Sequence, residues 1–198
     1  MKRKRLPLSV VTGMVLALCA SGLPGCRRDK PPKAGPVEPP AAATITVGSK
    51  AFEPGKAMPR RHTGDGQDVS PALTWSGVPA AAKELALIMD DPDAPRPKPW
   101  VHWVIYKIPA GAAGLPEAVA KKAEPPEPAG AVQGKNTWGR IGYGGPAPPK
   151  GRAHHYHFKL YALDAPLDVK AGLDKQALLA AMSGHVIAQG ELIGTYQR

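Results

Sequence analysis

The sequence predicts an all-β sandwich with one helix near its C-terminus, on three observations. Short segments rich in β-branched and aromatic residues recur along the body. Glycine and proline, 22 and 24 of them in 198 residues, break those segments at turn-like spacing. Only one stretch combines a helical start signal, a helical body and a stop signal. Taken in order, Thr44-Ile45-Thr46-Val47 alternates and reads as the first strand. Residues 73–75 and 84–89 follow as strands bounded by proline or glycine. Residues 100–108 form the strongest strand. Its even positions are Trp100, His102, Val104, Tyr106 and Ile108, and its odd positions include Val101, Trp103 and Ile105. Both faces are largely apolar, which places this strand centrally between packed layers. Residues 110–133, with Pro116, Pro125, Pro126 and Pro128, read as one long surface loop. Residues 154–163 make another strand, with His154, Tyr156, Phe158 and Leu160 on one face and His155, His157, Lys159 and Tyr161 on the other. The helix spans residues 175–182, with Asp174 as cap, Gly184 just past its end and Leu173 placed to staple against Leu178. Residues 192–196 read as a last strand.

The N-terminus reads as a targeting segment. Lys2-Arg3-Lys4-Arg5 precede an uncharged run over residues 6–25, as in a secretory signal. That run is close to membrane-spanning length, but Pro7, Gly13 and Pro24 count against an uncleaved anchor. Leu23-Pro24-Gly25-Cys26 resembles a bacterial lipobox, so residues 1–25 are expected to be a lipoprotein signal and Cys26 the lipidation site. Residues 26–43 hold five prolines and form a Pro-rich tether, leaving 44–198 as the domain. The expected location is the bacterial cell envelope, membrane-anchored through lipid. The alternative is a soluble periplasmic or secreted protein cut nearby. No cysteine follows Cys26, so the body depends on its core and not on disulfides.

Charge and motifs exclude several functions. From Ala41 onward there are eighteen basic residues against fourteen acidic, a modest excess that favours anionic ligands or lipid headgroups. No basic helix or aromatic platform accompanies it, so nucleic acid is not an expected partner. There is no HExxH, no paired-aspartate metal motif and no Gly-x-Ser-x-Gly elbow, and neither a metal nor a cofactor is expected.

The residues with most chemistry lie in three separated segments. The first is the turn Asp90-Asp91-Pro92-Asp93-Ala94-Pro95, and the second is Trp100-Val101-His102-Trp103. The third runs from Gly144-Gly145-Pro146 to His154-His155-Tyr156. Aspartates in such a turn commonly bond nearby backbone amides, and Asp93 is read that way. His102 on an apolar strand is by default a core histidine. His154 and Tyr156 share a face and offer two donors to a small anion. Gly144 and Gly145 allow a ligand close to the backbone and offer it N–H groups, though a plain turn explains them equally. His62 and His185 carry no functional reading.

These three segments resemble the phosphatidylethanolamine-binding protein family in its bacterial Raf-kinase-inhibitor-like branch. Residues 70–79 and 134–143 resemble it too, and the similarity runs in order from about Thr44 to Arg198. The resemblance implies that family's antiparallel sandwich. It also implies a ligand pocket of Asp91, His102, His154 and Tyr156, framed by Gly144, Gly145, Pro95 and Trp100. The expected ligand is small and anionic or phosphorylated, such as a phospholipid headgroup, and no catalysis is expected. A carboxylate beside the histidines is expected to favour their protonated forms, so that binding tightens as pH falls. The alternative is a protein-interaction module that inhibits a protease or kinase. A homodimer is left open.

Overall fold

The computed structural model describes residues 44–198. The signal and tether read at residues 1–43, with Cys26, lie outside the described residues. Two antiparallel sheets face each other. One is three-stranded, in the order β1 (Thr46–Ser49), β2 (Leu73–Ser76), β5 (Gly114–Leu115). The other is five-stranded, in the order β6 (Val132–Gln133), β4 (Trp100–Pro109), β3 (Glu84–Asp91), β7 (His154–Leu163), β8 (Val186–Tyr196). One helix, α1 (Lys175–Met182), packs on the outer side of the larger sheet.

The central strand β3 shows how period-two alternation builds two cores. Leu85, Leu87 and Met89 point into the cluster between the sheets, with Trp103, Phe158 and Leu160. Ala86 and Ile88 point the other way and meet Tyr106, Leu178 and Met182 beneath α1. Every residue of β3 is buried, so the strand carries apolar side chains on both faces. Helix α1 starts as its sequence directs, with the Asp174 carboxylate accepting the Ala177 amide hydrogen at 2.8 Å. Among the described residues no helix is long and apolar enough to cross a membrane.

Four expectations need correction. The acidic turn is not wholly a turn, because Asp90 and Asp91 are the last two residues of β3, paired with Val101 and Trp100 of β4. The presumed long loop contains β5 and β6, each two residues, which extend an edge of each sheet. The last strand begins at Val186, well before residue 192. Its glycines hid it, and packing explains them. A Cβ on Gly190 would lie 2.0 Å from the Ile45 carbonyl oxygen, and one on Gly194 would lie 2.7 Å from Met58.

The fourth correction concerns His102. Met89 pairs with Trp103 and Asp90 with Val101, so His102 is the extra residue of a β-bulge in β4. The bulge breaks the alternation. Trp103 and Ile105 stay with the core between the sheets, whereas Val101, Val104 and Tyr106 belong to the α1 side. His102 therefore leaves the face of Val104 and Tyr106 and turns its ring edge-on to Tyr156, with centroids 5.1 Å apart at 88°.

Candidate functional site

Asp91, His102, His154 and Tyr156 converge at one end of the larger sheet. All four are buried, at 4%, 3%, 5% and 0% exposure, although each carries a polar, ionisable group. Such burial requires partners, and their identity defines the site.

Asp91 uses both carboxylate oxygens inside the protein. One accepts the Asp93 amide hydrogen at 2.8 Å and fixes the turn after β3. The other accepts from His154 Nδ1, also at 2.8 Å. Asp91 is thus a positioning residue that holds His154. In parallel, His102 Nδ1 lies 2.6 Å from the Gly144 carbonyl oxygen, and the Gly144 N–H returns a bond to the His102 carbonyl at 2.9 Å. A carbonyl and an ionised carboxylate only accept, so both Nδ1 atoms carry a proton. In its neutral form each ring would then leave Nε2 as an acceptor.

Neither Nε2 has a partner among the described residues. Tyr156 Oη is the one buried side-chain polar atom among the described residues without a hydrogen bond. The site thus presents two imidazole nitrogens and an orphaned phenol. Burial, reinforced by the Asp91 charge, pushes the Tyr156 phenol far above its usual pKa and keeps it a neutral donor. Burial also lowers the pKa of His102, although the Gly144 carbonyl and the charges of Asp91, Asp90 and Asp68 oppose it. For His102 this reverses the expectation that a nearby carboxylate would favour the charged ring: desolvation is the larger effect.

The framing residues are distributed differently from expectation. The amide hydrogens of Gly144 and Gly145 are not free for an oxyanion, since Gly145 donates to Asp68 Oδ1 at 2.6 Å and Gly144 to His102. Their lack of a Cβ serves close packing: a Cβ on Gly145 would sit 2.7 Å from the Thr63 backbone, and one on Gly144 2.8 Å from the Trp138 ring. Pro95 is exposed in the bend between β3 and β4 and makes no polar contact with the cluster. Trp100 reaches His102 only through Trp138. The Trp100 and Trp138 rings lie edge to face at 5.2 Å, as do those of Trp138 and His102. Asp93 does not bond local amides as expected. It crosses to β7, where one oxygen accepts from the His155 amide and Nδ1 at 2.9 and 2.7 Å, and it also faces Arg152. The hydrogen bond from the His155 ring, followed by weaker contributions, holds the Asp93 carboxyl below its usual range.

Sequence reading missed two parts of the site. Trp138, 41% exposed, is the lid-like ring over His102; the buried Asn136 shapes its turn by accepting from the Trp138 and Arg140 amides at 3.1 Å. Tyr196 is opposite His154 in the β7–β8 register and therefore shares its face. It lines a cavity of about 440 Å³ with Arg60, Asp65, Lys150 and Arg198. The Arg198 guanidinium pairs with Asp65 and lowers that carboxyl to about 2. Pairing across strands is invisible before the register is known. Among the described residues no three His, Cys, Asp or Glu side chains are grouped to hold a metal ion.

Comparison with known proteins identifies the family and the fold. Residues 48–197 match the family model described as phosphatidylethanolamine-binding protein. A UPF0098 protein of Methanothermobacter thermautotrophicus is 51% identical over 154 residues, covering 78% of this chain and 99% of the relative. Among solved structures, the phosphatidylethanolamine-binding protein homologue CT736 of Chlamydia trachomatis is 40% identical with a TM-score of 0.71. That similarity covers 80% of this chain and 99% of CT736. YbcL of E. coli, described as a new member of the mammalian PEBP family, is 35% identical with a TM-score of 0.73, covering 78% of this chain and 98% of YbcL.

Proposed function

The chain belongs to the phosphatidylethanolamine-binding protein family, and on that premise we propose that it binds small phosphorylated ligands, headgroup-like in chemistry, at His102, His154 and Tyr156 without turning them over. The observation that carries this reading is the buried Tyr156 hydroxyl, without a partner among the described residues, beside the His102 ring. A buried hydroxyl left unsatisfied costs about 1–3 kcal/mol, so the site is prepared for a ligand oxygen that accepts from it. The family description names a phospholipid whose headgroup contains a phosphate, which supplies such an oxygen.

The protonation pattern adds a condition. With both Nδ1 atoms committed as donors, neutral rings present lone pairs, which repel a fully ionised anion. A bound anion must therefore bring its own O–H, or a ring must take up a proton. Hydrogen phosphate has that O–H group and sulfate does not. Affinity then depends on pH in a definite direction. Each protonation that accompanies binding makes the complex tighter as pH falls, by about tenfold per pH unit for one proton.

Calorimetry with phosphate and with sulfate between pH 8 and pH 5.5, in buffers of different ionisation heat, tests this. At pH 8 phosphate is expected to bind and sulfate to bind barely. As pH falls, sulfate should gain about tenfold per unit, with uptake of close to one proton. Equal affinity for the two anions at pH 8, or a flat pH profile for sulfate, would overturn the reading.

A further inference from the structure

A second cavity, of about 860 Å³, lies away from the His–Tyr cluster, between residues 96–101, the turn at 135–139 and the start of α1 at 174–179. Of the residues expected to frame the first pocket, only Trp100 lines it. Its volume is within the range of small-molecule sites, about 300–1,000 Å³. The apolar part of its wall comes from Pro97, Pro99, Trp100, Val101 and Leu179.

The charge on this wall is one-sided. Arg96, Lys98 and Lys135 line the cavity, and none of them has a carboxylate partner among the described residues. The Arg96 guanidinium lies over the Trp100 ring, 5.6 Å from its centroid, so its charge stays beside the apolar floor. The fourth cation, Lys175, is neutralised by the buried Asp90. Asp174 is the only acidic residue lining the cavity, and its carboxylate accepts the Ala177 amide hydrogen as the helix cap. Three uncompensated cations around an indole and aliphatic floor complement a molecule with the opposite pattern.

We propose that this cavity is a second binding site, which takes a small amphipathic organic anion: a ring system that lies on Trp100 and Leu179, with a carboxylate, sulfonate or phosphate held by Lys98, Lys135 and Arg96. Plain phosphate lacks the apolar body that the floor would cover. The first site offers the reverse, two imidazoles and a phenol with no free cation of its own, so the two sites select different ligands.

The probe is 8-anilinonaphthalene-1-sulfonate, a ring system bearing one anionic group, titrated into the purified chain by fluorescence and by amide and indole NMR shifts. Shifts are expected at the Trp100 indole and at residues 96–101, 135–139 and 174–179. Lys98→Glu combined with Lys135→Glu is expected to weaken the probe at least tenfold, with an unchanged melting curve because both side chains are exposed. His154→Ala should leave probe binding intact. Whether phosphate binds at the first site does not enter this readout, so the two proposals fail separately. The inference is overturned if the shifts centre on His154 and Tyr156, if the charge-reversed variant binds the probe as the parent does, or if only anionic vesicles and not the free probe are bound.

Discussion

Tyr156 carries a hydroxyl into the core and leaves it without a partner, while its ring fills space against His102. For stability alone phenylalanine would serve better, since it keeps the ring and removes an unsatisfied polar atom. Tyr156→Phe is therefore expected to raise stability by about 1 kcal/mol, a rise of roughly 2–4 °C in Tm for a domain of this size. The same variant should weaken phosphate binding about tenfold, because the lost hydrogen bond is one to a charged oxygen. Thermal melts and calorimetry on the one variant check both halves. A fall in Tm with undiminished affinity would show that the hydroxyl serves the fold. Asp91 has the opposite character: both of its oxygens are spent on the Asp93 amide and His154, so its effect on a ligand passes through the orientation of His154.

At the scale of elements, the last turn of β3 sends two neighbouring carboxylates in opposite directions. Asp91 stays on the side of Leu85, Leu87 and Met89 and holds His154, whereas Asp90 follows Ala86 and Ile88 towards α1 and meets Lys175. Asp90 is 2% exposed, so Lys175 is what permits its charge to be buried. Lys175→Met is expected to cost about 3 kcal/mol, the low end for stranding a buried charge because the lysine keeps some solvent contact. Adding Asp90→Asn should restore most of that loss, and denaturant titrations of the two single variants and the double variant provide the cycle. Additive losses in the double variant would sink this account. Much of this architecture was legible in the sequence. Strand β7 and helix α1 have the predicted limits, because clean alternation in one and a capped apolar body in the other are local signals. Strand β8 was legible only in part, since Gly190 and Gly194 weaken a strand pattern until Ile45, Phe52 and Met58 are seen occupying the space of their missing side chains. The bulge at His102 left no local signal, and only pairing with β3 reveals it.

Across the whole molecule, four rings run in a row from one binding region to the other. Trp100 meets Trp138, Trp138 meets His102 and His102 meets Tyr156, each edge to face at 5.1–5.2 Å. Sequence reading named Trp100, His102 and Tyr156, but Trp138 joins them only once the turn held by Asn136 has folded over the bulge. Two rings of the row, Trp138 and Tyr156, pack against His102, and burial is what lowers its pKa from the ordinary 6.5. The sign of the resulting stability dependence follows. The unfolded chain takes up a proton on this ring from about pH 6.5 downwards, while the folded domain resists it until a lower pH. The contribution of neutral His102 to stability is therefore complete above about pH 6.5 and is lost as pH falls from there towards the folded value. Trp138→Ala uncovers one side of the ring and should move its titration midpoint upwards, towards 6.5, in an NMR titration of the imidazole. It should also make the fall in stability between pH 7 and pH 5 shallower, even if the variant is less stable throughout. A midpoint that stays where it was would mean that the sheet and Gly144, not the exposed indole, keep water from His102.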